Sequence, residues 1–298
     1  MQKILTIIVT YNAIKWAEKC FTSLYKSTIP LDIFVIDNGS TDGTQEYITT
    51  NNPNIIFHQS PTNLGFGKAN NIGIKYAIDN NYDYVYLLNQ DAWILHDTIE
   101  KLIKIHEKYP QYGILSPIQV QANMKDLDSN FSSYMCNYEK DTSFFNDLYF
   151  NQRKDIYTVP DIMAAHWLIS RECLLNVGGF SPTFPHYGED NNYANRTLFH
   201  GFDIGIVPSA IAIHDRSNRK RTLEKEAYMT YIYALIIISN IYKPIPNQIL
   251  HIIKYFLRFI LKNKTIQPLK YCYKIINNRN KIKENTRISK TKGAFLNL

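Results

Sequence analysis

The sequence predicts an α/β fold: a mostly parallel central sheet flanked by helices, followed by a helical C-terminal extension. Three observations carry this reading. The chain has 298 residues, 45% apolar and 20% charged, enough to bury a large core and too apolar for a disordered chain. Its first 120 residues alternate between β-branched apolar runs and segments with apolar residues at helical spacing. Three of those runs end in polar clusters, as strands do when their carboxyl ends meet a ligand.

Residues 4–10 form a continuous apolar run of the kind a buried parallel strand needs. Trp16, Cys20, Phe21 and Leu24 then recur at helical spacing across 15–27. Residues 31–36 read as a second strand and 41–49 as a short helix, capped by Ser40 or Thr41. A third strand is expected over 54–58, a helix over 67–80 and a fourth strand over 84–88. A helix over 97–108 and an extended piece from 112 to 117 complete the pattern. Such alternation implies parallel βαβ units with right-handed crossovers. From 119 to 158 the pattern weakens into polar, aromatic, irregular sequence containing Phe131, Tyr134, Tyr138, Phe144, Phe145, Tyr149 and Phe150. That segment either lines a site or packs on itself as a surface insertion, and both readings stay open. Order returns over 159–170 and continues to His214. After Arg221 the chain turns helical, over 223–241 and again over 249–261.

Charge divides the chain. Residues 243–298 hold 13 Lys and Arg against the single acid Glu284, a balance of +12, while residues 1–242 carry −5. An acidic body with a basic tail argues against a nucleic-acid binder. Cys20, Cys136, Cys173 and Cys272 show no metal-ligand spacing, so reduced thiols and a cytoplasmic location are expected. The N-terminus runs straight into a strand with no secretory pattern, and the longest uncharged run, 227–242, is too short to span a membrane.

The polar strand ends are Thr10-Tyr11-Asn12, then Asp37-Asn38-Gly39-Ser40-Thr41-Asp42, then Asn89-Gln90-Asp91. All three converge on one edge of a parallel sheet. The glycine segment Gly65-Phe66-Gly67-Lys68-Ala69-Asn70 lacks the third glycine of a dinucleotide fingerprint and follows the third strand, not the first. No P-loop pattern occurs either.

These clusters occur in order with Asn63-x-Gly65-Phe66-Gly67-x-x-Asn70-Asn71-x-Gly73, Gly178-Gly179-Phe180 and Gly188-Glu189-Asp190. Together they resemble the family 2 glycosyltransferases of GT-A fold over roughly residues 3–221. The Asn-x-Gly-Phe-Gly and Leu-Asn-x-Asp variants resemble the rhamnosyltransferase-like branch that builds bacterial surface polysaccharides. The resemblance implies an inverting transfer of a sugar from a UDP- or dTDP-linked donor to a hydroxyl of a growing, glycan or lipid-linked acceptor. It implies a catalytic domain over 1–221, with a nucleotide-binding half (1–118) and an acceptor-binding half (119–221), and a basic extension over 222–298.

The implied donor-binding residues are Thr10, Tyr11, Asn12, Asp37, Asn38, Gly65, Lys68, Asn89, Gln90, Asp91, Arg216 and Arg219. Asp37 and Asn38 match the pair that meets the nucleoside, and an amide at Asn38 suits uracil and thymine alike. Asp42 either joins that site or caps the following helix. Asn89-Gln90-Asp91 matches an Asp-x-Asp metal motif whose first acid is missing, so a Mg²⁺ or Mn²⁺ ion would be held weakly by Asp91 with His214; a plain strand-end turn is the alternative. Asp190 matches the general base, with Glu189, His166 and Trp167 toward the acceptor, though Trp167 suits a packed core as well as a sugar-stacking face. Arg216 and Arg219, with Lys220 and Arg221, could close over the diphosphate. Two other readings remain: a sugar-nucleotide nucleotidylyltransferase, which would want a basic glycine-rich loop after the first strand, and an inactive glycan-binding protein. In the tail, Ile252, Ile253, Phe256, Leu257 and Ile260 lie beside Lys254, Arg258 and Lys262, which suits either a helix in an anionic lipid interface or packing on protein, including a homodimer.

Overall fold

The computed structural model describes residues 2–216, 222–242 and 245–296, with the backbone alone for 245–251. Arg219, Lys220 and Arg221 therefore lie outside the described residues. The body runs β1 (Ile4–Thr10), α1 (Ile14–Tyr25), β2 (Asp32–Asp37), α2 (Thr44–Asn51), β3 (Ile56–Gln59), α3 (Phe66–Asp79), β4 (Tyr84–Asn89), β5 (Ala92–Ile94), α4 (Thr98–Lys108) and β6 (Tyr112–Val120). It continues through α5 (Ser129–Thr142), α6 (Phe144–Tyr149), β7 (Tyr157–Thr158), β8 (His166–Ser170), α7 (Arg171–Val177), α8 (Glu189–Phe199) and β9 (Asp203–His214). The extension holds α9 (Leu223–Ile238), α10 (Ile245–Asn263), α11 (Leu269–Asn277) and α12 (Arg279–Ile288).

The strands form one sheet in the order β3-β2-β1-β4-β8-β6-β9-β5, with β7 on β9. The first four are mutually parallel, as the βαβ alternation requires. The remainder is more mixed than the sequence suggested: β8 runs antiparallel to both β4 and β6. The reason is its point of entry. His166, the first residue of β8, pairs with Leu88 near the carboxyl end of β4, so the strand must run back toward the amino edge. The stretch expected to be irregular contains α5 and α6, the former capped by Asp128, whose carboxylate accepts from Asn130 N and Phe131 N. Helix α2 starts at Gly43, not at Ser40 or Thr41. Asp42 accepts from Thr44 N just ahead of it and from Ile14 N of α1.

Alternation along β1 builds two cores. Leu5 and Ile7 face a layer of α3, α7 and α8 side chains with Trp167, Phe180 and Tyr193, while Ile4 and Ile8 face α1 and α4 through Phe21, Ile99 and Leu102. A third cluster joins the extension to the body: Tyr231, Ile232 and Leu235 of α9 pack with Phe184, Phe256, Tyr271 and Ile282. The chain end then returns to the body. Gly179 N donates to Ala294 O (2.7 Å), Gly293 N to Asn176 O (3.0 Å), and Asn285 of α12 to Thr183 (3.0 Å). Gly178 has φ +83°, and a Cβ there would overlap the Ala294 backbone, so the Gly178-Gly179 motif serves the docking of the chain's last turn.

Candidate active site

The ends of β1, β2 and β4 do converge, and they do so by bonding one another. Asp37, fully buried, accepts from Thr10 Oγ1 (2.8 Å), Ser40 Oγ (2.5 Å), Gly39 N (3.0 Å), Ser40 N (2.8 Å) and Gln45 Nε2 (2.8 Å). That saturates both carboxylate oxygens, so Asp37 holds the loop and does not itself face a nucleoside. Asn12 receives the Thr41 N–H at its side chain (2.9 Å) and gives its own N–H to Ser40 (2.9 Å). Gln90 clamps Tyr11 in both directions, accepting from its N–H (2.7 Å) and donating to its carbonyl (3.2 Å). Asn38 is almost fully buried, accepting from Leu64 N (3.3 Å) and donating to Gly65 O (3.4 Å). These long bonds make it the lip of the 63–65 turn. Gly65 itself takes φ +76° against Pro185 O, a position that excludes a side chain. The Tyr11 ring and Lys68, on the first turn of α3, are exposed, and Asn89 ends β4 at the same edge.

Asp91 and His214 meet because β5 pairs antiparallel with β9, setting Ala92 opposite His214. His214 Nε2 stands 3.5 Å from Asp91 Oδ1, and the backbone N–H of Asp215 donates to Asp91 O (2.8 Å). Burial opposes ionisation of Asp91, but His214 and the nearby Arg216 outweigh it and hold the carboxyl below its ordinary range. On the far side of the ring, Nδ1 faces Asp128 Oδ2 at 3.6 Å, and Arg216 Nε faces the same oxygen at 3.6 Å. Asp128 was not singled out from the sequence; only its place as a helix cap could have flagged it.

Among the described residues no group of three His, Cys, Asp or Glu is arranged to hold a metal. Asp91 and His214 nonetheless fit a weakly held divalent cation. They set a carboxylate oxygen and an imidazole nitrogen 3.5 Å apart, and water and phosphate oxygens would supply the remaining ligands.

Asp190 lies near Tyr134, farther along α5 than its cap Asp128. Gly188 (φ +83°) opens α8, placing Glu189 and Asp190 in its first turn, where helix N–H groups favour negative charge. The two diverge. Asp190 accepts from Asn191 N (2.9 Å) and feels the charge of Asp161, which also bonds Tyr138 OH and Asn191 Nδ2 (2.8 Å). Burial first, and then Asp161, raise the Asp190 carboxyl above its usual range. Glu189 turns toward Gly67 and Tyr228; burial, and then Asp190, push it up to about 8, and its Oε2 is buried without a hydrogen-bond partner. Asn191 and Asp161 were not singled out from the sequence, whereas Tyr134 and Tyr138 belong to the aromatic segment for which lining a site was one of two open readings.

Two expected acceptor residues are core. Trp167 is fully buried, stacked on Phe180 (6.4 Å, 14°) and tilted against Tyr193, so no sugar can reach its face. His166 is equally buried, bonded to Tyr86 OH (2.8 Å) and Ile213 O (3.0 Å), and burial, with His214 adding to it, drives its pKa down to about 3. A neutral His166 backs the His214 ring edge-on at 6.4 Å instead of meeting an acceptor.

Comparison with known proteins agrees with this geometry. The family model "Glycosyl transferase family 2" matches residues 6–178. An N-acetylglucosaminyl-diphospho-decaprenol L-rhamnosyltransferase of Mycobacterium tuberculosis is 27% identical over 237 residues, covering 71% of this chain and 76% of the relative. A low-salt glycan biosynthesis hexosyltransferase, Agl10 of Haloferax volcanii, is 24% identical over 233 residues, 76% of this chain and 71% of the relative. Among solved structures, residues 1–349 of Staphylococcus aureus TarS in complex with UDP-GlcNAc align with TM-score 0.58 at 14% identity, over 97% of this chain and 90% of that one. The mannosyltransferase PcManGT from Pyrobaculum calidifontis, with GDP-Man and Mn²⁺, aligns with TM-score 0.57 at 17% identity, over 93% and 75%. With the model matching more than half of its length, the chain belongs to glycosyl transferase family 2 and carries the GT-A fold.

Proposed function

We propose that this glycosyltransferase moves a sugar from a UDP- or dTDP-linked donor to a hydroxyl of a growing surface glycan, inverting the anomeric centre. The observation that supports it best is that one helix, α5, meets both a cationic group and an acidic one. Its cap, Asp128, faces His214 and Arg216, while Tyr134, farther along the helix, feels the charges of Asp190, Asp161 and Arg216. Asp190 accepts the acceptor proton as the new bond forms. Asp161 and the two tyrosines of α5 orient the acceptor, and Arg216 binds the diphosphate as it departs. A divalent cation at Asp91 and His214 would add Lewis-acid stabilisation of the leaving group. One base opposite one leaving group makes a single displacement, hence inversion. The test is donor hydrolysis by the purified protein across UDP- and dTDP-sugars with Mn²⁺ or Mg²⁺. Turnover of a member of either set is expected; turnover of none, with intact fold, would favour a glycan-binding protein.

We also propose that the extension brings the enzyme to an anionic lipid surface carrying a lipid-linked acceptor, at the inner face of the cell membrane. No helix among the described residues is long and apolar enough to cross a membrane. Helix α10 buries Phe256 against α9 and leaves Ile253, Leu257 and Leu261 exposed at helical spacing; α11 buries Tyr271 and leaves Leu269, Tyr273 and Ile276 exposed. Cations flank both stripes, and the +12 balance of residues 243–298 complements anionic headgroups. Because the chain's last turn docks on Gly179, point variants serve better than truncation. Wild type should co-sediment with phosphatidylglycerol vesicles at low salt, and Leu257→Asp with Leu261→Asp should not. Equal binding of both, or binding of neither, would remove the lipid surface. A wild-type dimer that the same variant dissolves would assign the face to a second copy of the chain.

A further inference from the structure

Two buried polar atoms near the Asp91–His214 pair lack hydrogen-bond partners, Asp128 Oδ2 and His214 Nδ1, and they face each other at 3.6 Å. A buried, unpartnered carboxylate oxygen is costly enough to demand a reason. The other oxygen of Asp128 is committed: it caps α5 by accepting from Asn130 N and Phe131 N, both at 2.9 Å. Asp128 is therefore fixed in place by the helix it starts, and its free oxygen is aimed at the imidazole and at Arg216 Nε, also 3.6 Å away.

A carboxylate only accepts, so a proton on Nδ1 satisfies both orphans once they close by less than 1 Å. Nε2 then faces Asp91 Oδ1, 3.5 Å away, where a second proton would bond the carboxylate and a cation could take that proton's place. The opposite tautomer would turn the Nδ1 lone pair toward a carboxylate with no access to water, whereas the Asp91 side chain keeps 15% exposure and can be solvated. The first arrangement is the less costly, and with a cation in place of any Nε2 proton it offers two donors 3.5 Å apart, close enough to be neighbouring ligands of one ion.

We infer that Asp128 is a positioning residue, holding His214 as the Nδ1–H tautomer and tethering Arg216, so that Nε2 and Asp91 present together to a divalent cation. The inference rests on the reading of Asp91 and His214 as cation ligands. Outer carboxylates of this kind commonly tune affinity by 10–100-fold.

Asp128→Ser separates this role from helix capping, because serine keeps an N-cap acceptor and removes the second oxygen. Asp128→Asn also keeps a cap oxygen, but offers an N–H to Nδ1 and so favours the Nε2–H ring. In metal-free protein, ¹⁵N NMR of the histidine side chains should show His214 as Nδ1–H in wild type and as Nε2–H in Asp128→Asn. Mn²⁺ titration followed by electron paramagnetic resonance should show binding weakened about 10–100-fold in Asp128→Ser, at least as much in Asp128→Asn, with thermal unfolding of the serine variant near wild type. A wild-type ring protonated on Nε2 alone would overturn the proposal, as would unchanged Mn²⁺ affinity in Asp128→Ser. His214→Gln distinguishes the two levels. If it weakens Mn²⁺ binding while Asp128→Ser does not, only the positioning role fails; if it also leaves Mn²⁺ binding unchanged, the cation reading fails with it.

Discussion

The strand-end edge and the acid edge of the proposed site are built on opposite principles. At the ends of β1, β2 and β4 the polar side chains satisfy one another: Asp37 accepts five hydrogen bonds, Gln90 bonds Tyr11 in both directions, and Asn12 staples two loops. Along α5 the groups are left at odds. Asp190 lies beside Asp161, Glu189 keeps an orphaned oxygen, and Asp128 and His214 face each other unbonded. The contrast teaches that a saturated polar cluster is framework, while an unsatisfied one waits for a ligand or a proton. Removing a framework residue should therefore cost folding, and removing an unsatisfied one should cost chemistry.

The largest expected effect is at Asp190. Asp190→Asn should lower transfer by roughly 10²–10⁴-fold, the usual contribution of a positioned base, with nucleotide affinity and thermal stability near wild type. Near-normal turnover would remove Asp190 as the base. Asp37→Asn should do the reverse. An amide cannot receive five donors, and hydrogen bonds to charged groups are worth about 1.5–3 kcal/mol each, so a clear fall in unfolding free energy should appear in urea titration. A stable but inactive Asp37→Asn protein would break the contrast and return Asp37 to direct nucleotide contact.

Smaller effects sharpen the comparison. Asp91→Ala should raise the nucleotide dissociation constant when Mn²⁺ or Mg²⁺ is present and change it little in EDTA, as calorimetry can show. Equal affinity with and without metal in wild type would contradict a cation at Asp91. Glu189 is raised from an ordinary carboxyl value to about 8 in the folded protein. The folded state thus holds a proton that the unfolded chain has released, so this group's contribution to stability is full at acid pH and is lost as pH climbs toward 8. Glu189→Gln should flatten that decline in denaturant titrations across the window. An unaltered slope would mean that Glu189 is solvated and ionised.

Much of this was legible in the sequence, and the gaps have physical causes. Every strand and helix through β6 except the three-residue β5 was foreshadowed by period, because buried parallel strands are continuous apolar runs. Helix α5 was missed although Phe131, Tyr134, Met135 and Tyr138 sit at helical spacing, since aromatic residues between polar ones suit a lining loop equally well. The motifs located the cleft but not each residue's duty. Asp37 and Asp190 look alike in sequence, yet one is consumed by five donors and the other is crowded by another carboxylate. Trp167 suited a sugar-stacking face and a packed core equally, because its burial depends on β8 running between β4 and β6, a pairing that no local pattern announces. Asp128 and Asp161 carry no motif, and only the packing of α5 brings them to the site.

The central claim is a single displacement driven by Asp190, and its most direct test is the anomeric configuration of the transferred sugar. With the donor identified by the hydrolysis screen, ¹H NMR of the first product formed should show the configuration opposite to the donor's. It should form far more slowly, but with the same inversion, in Asp190→Asn. A product that keeps the donor's configuration would contradict the claim, because one base facing one leaving group cannot retain it.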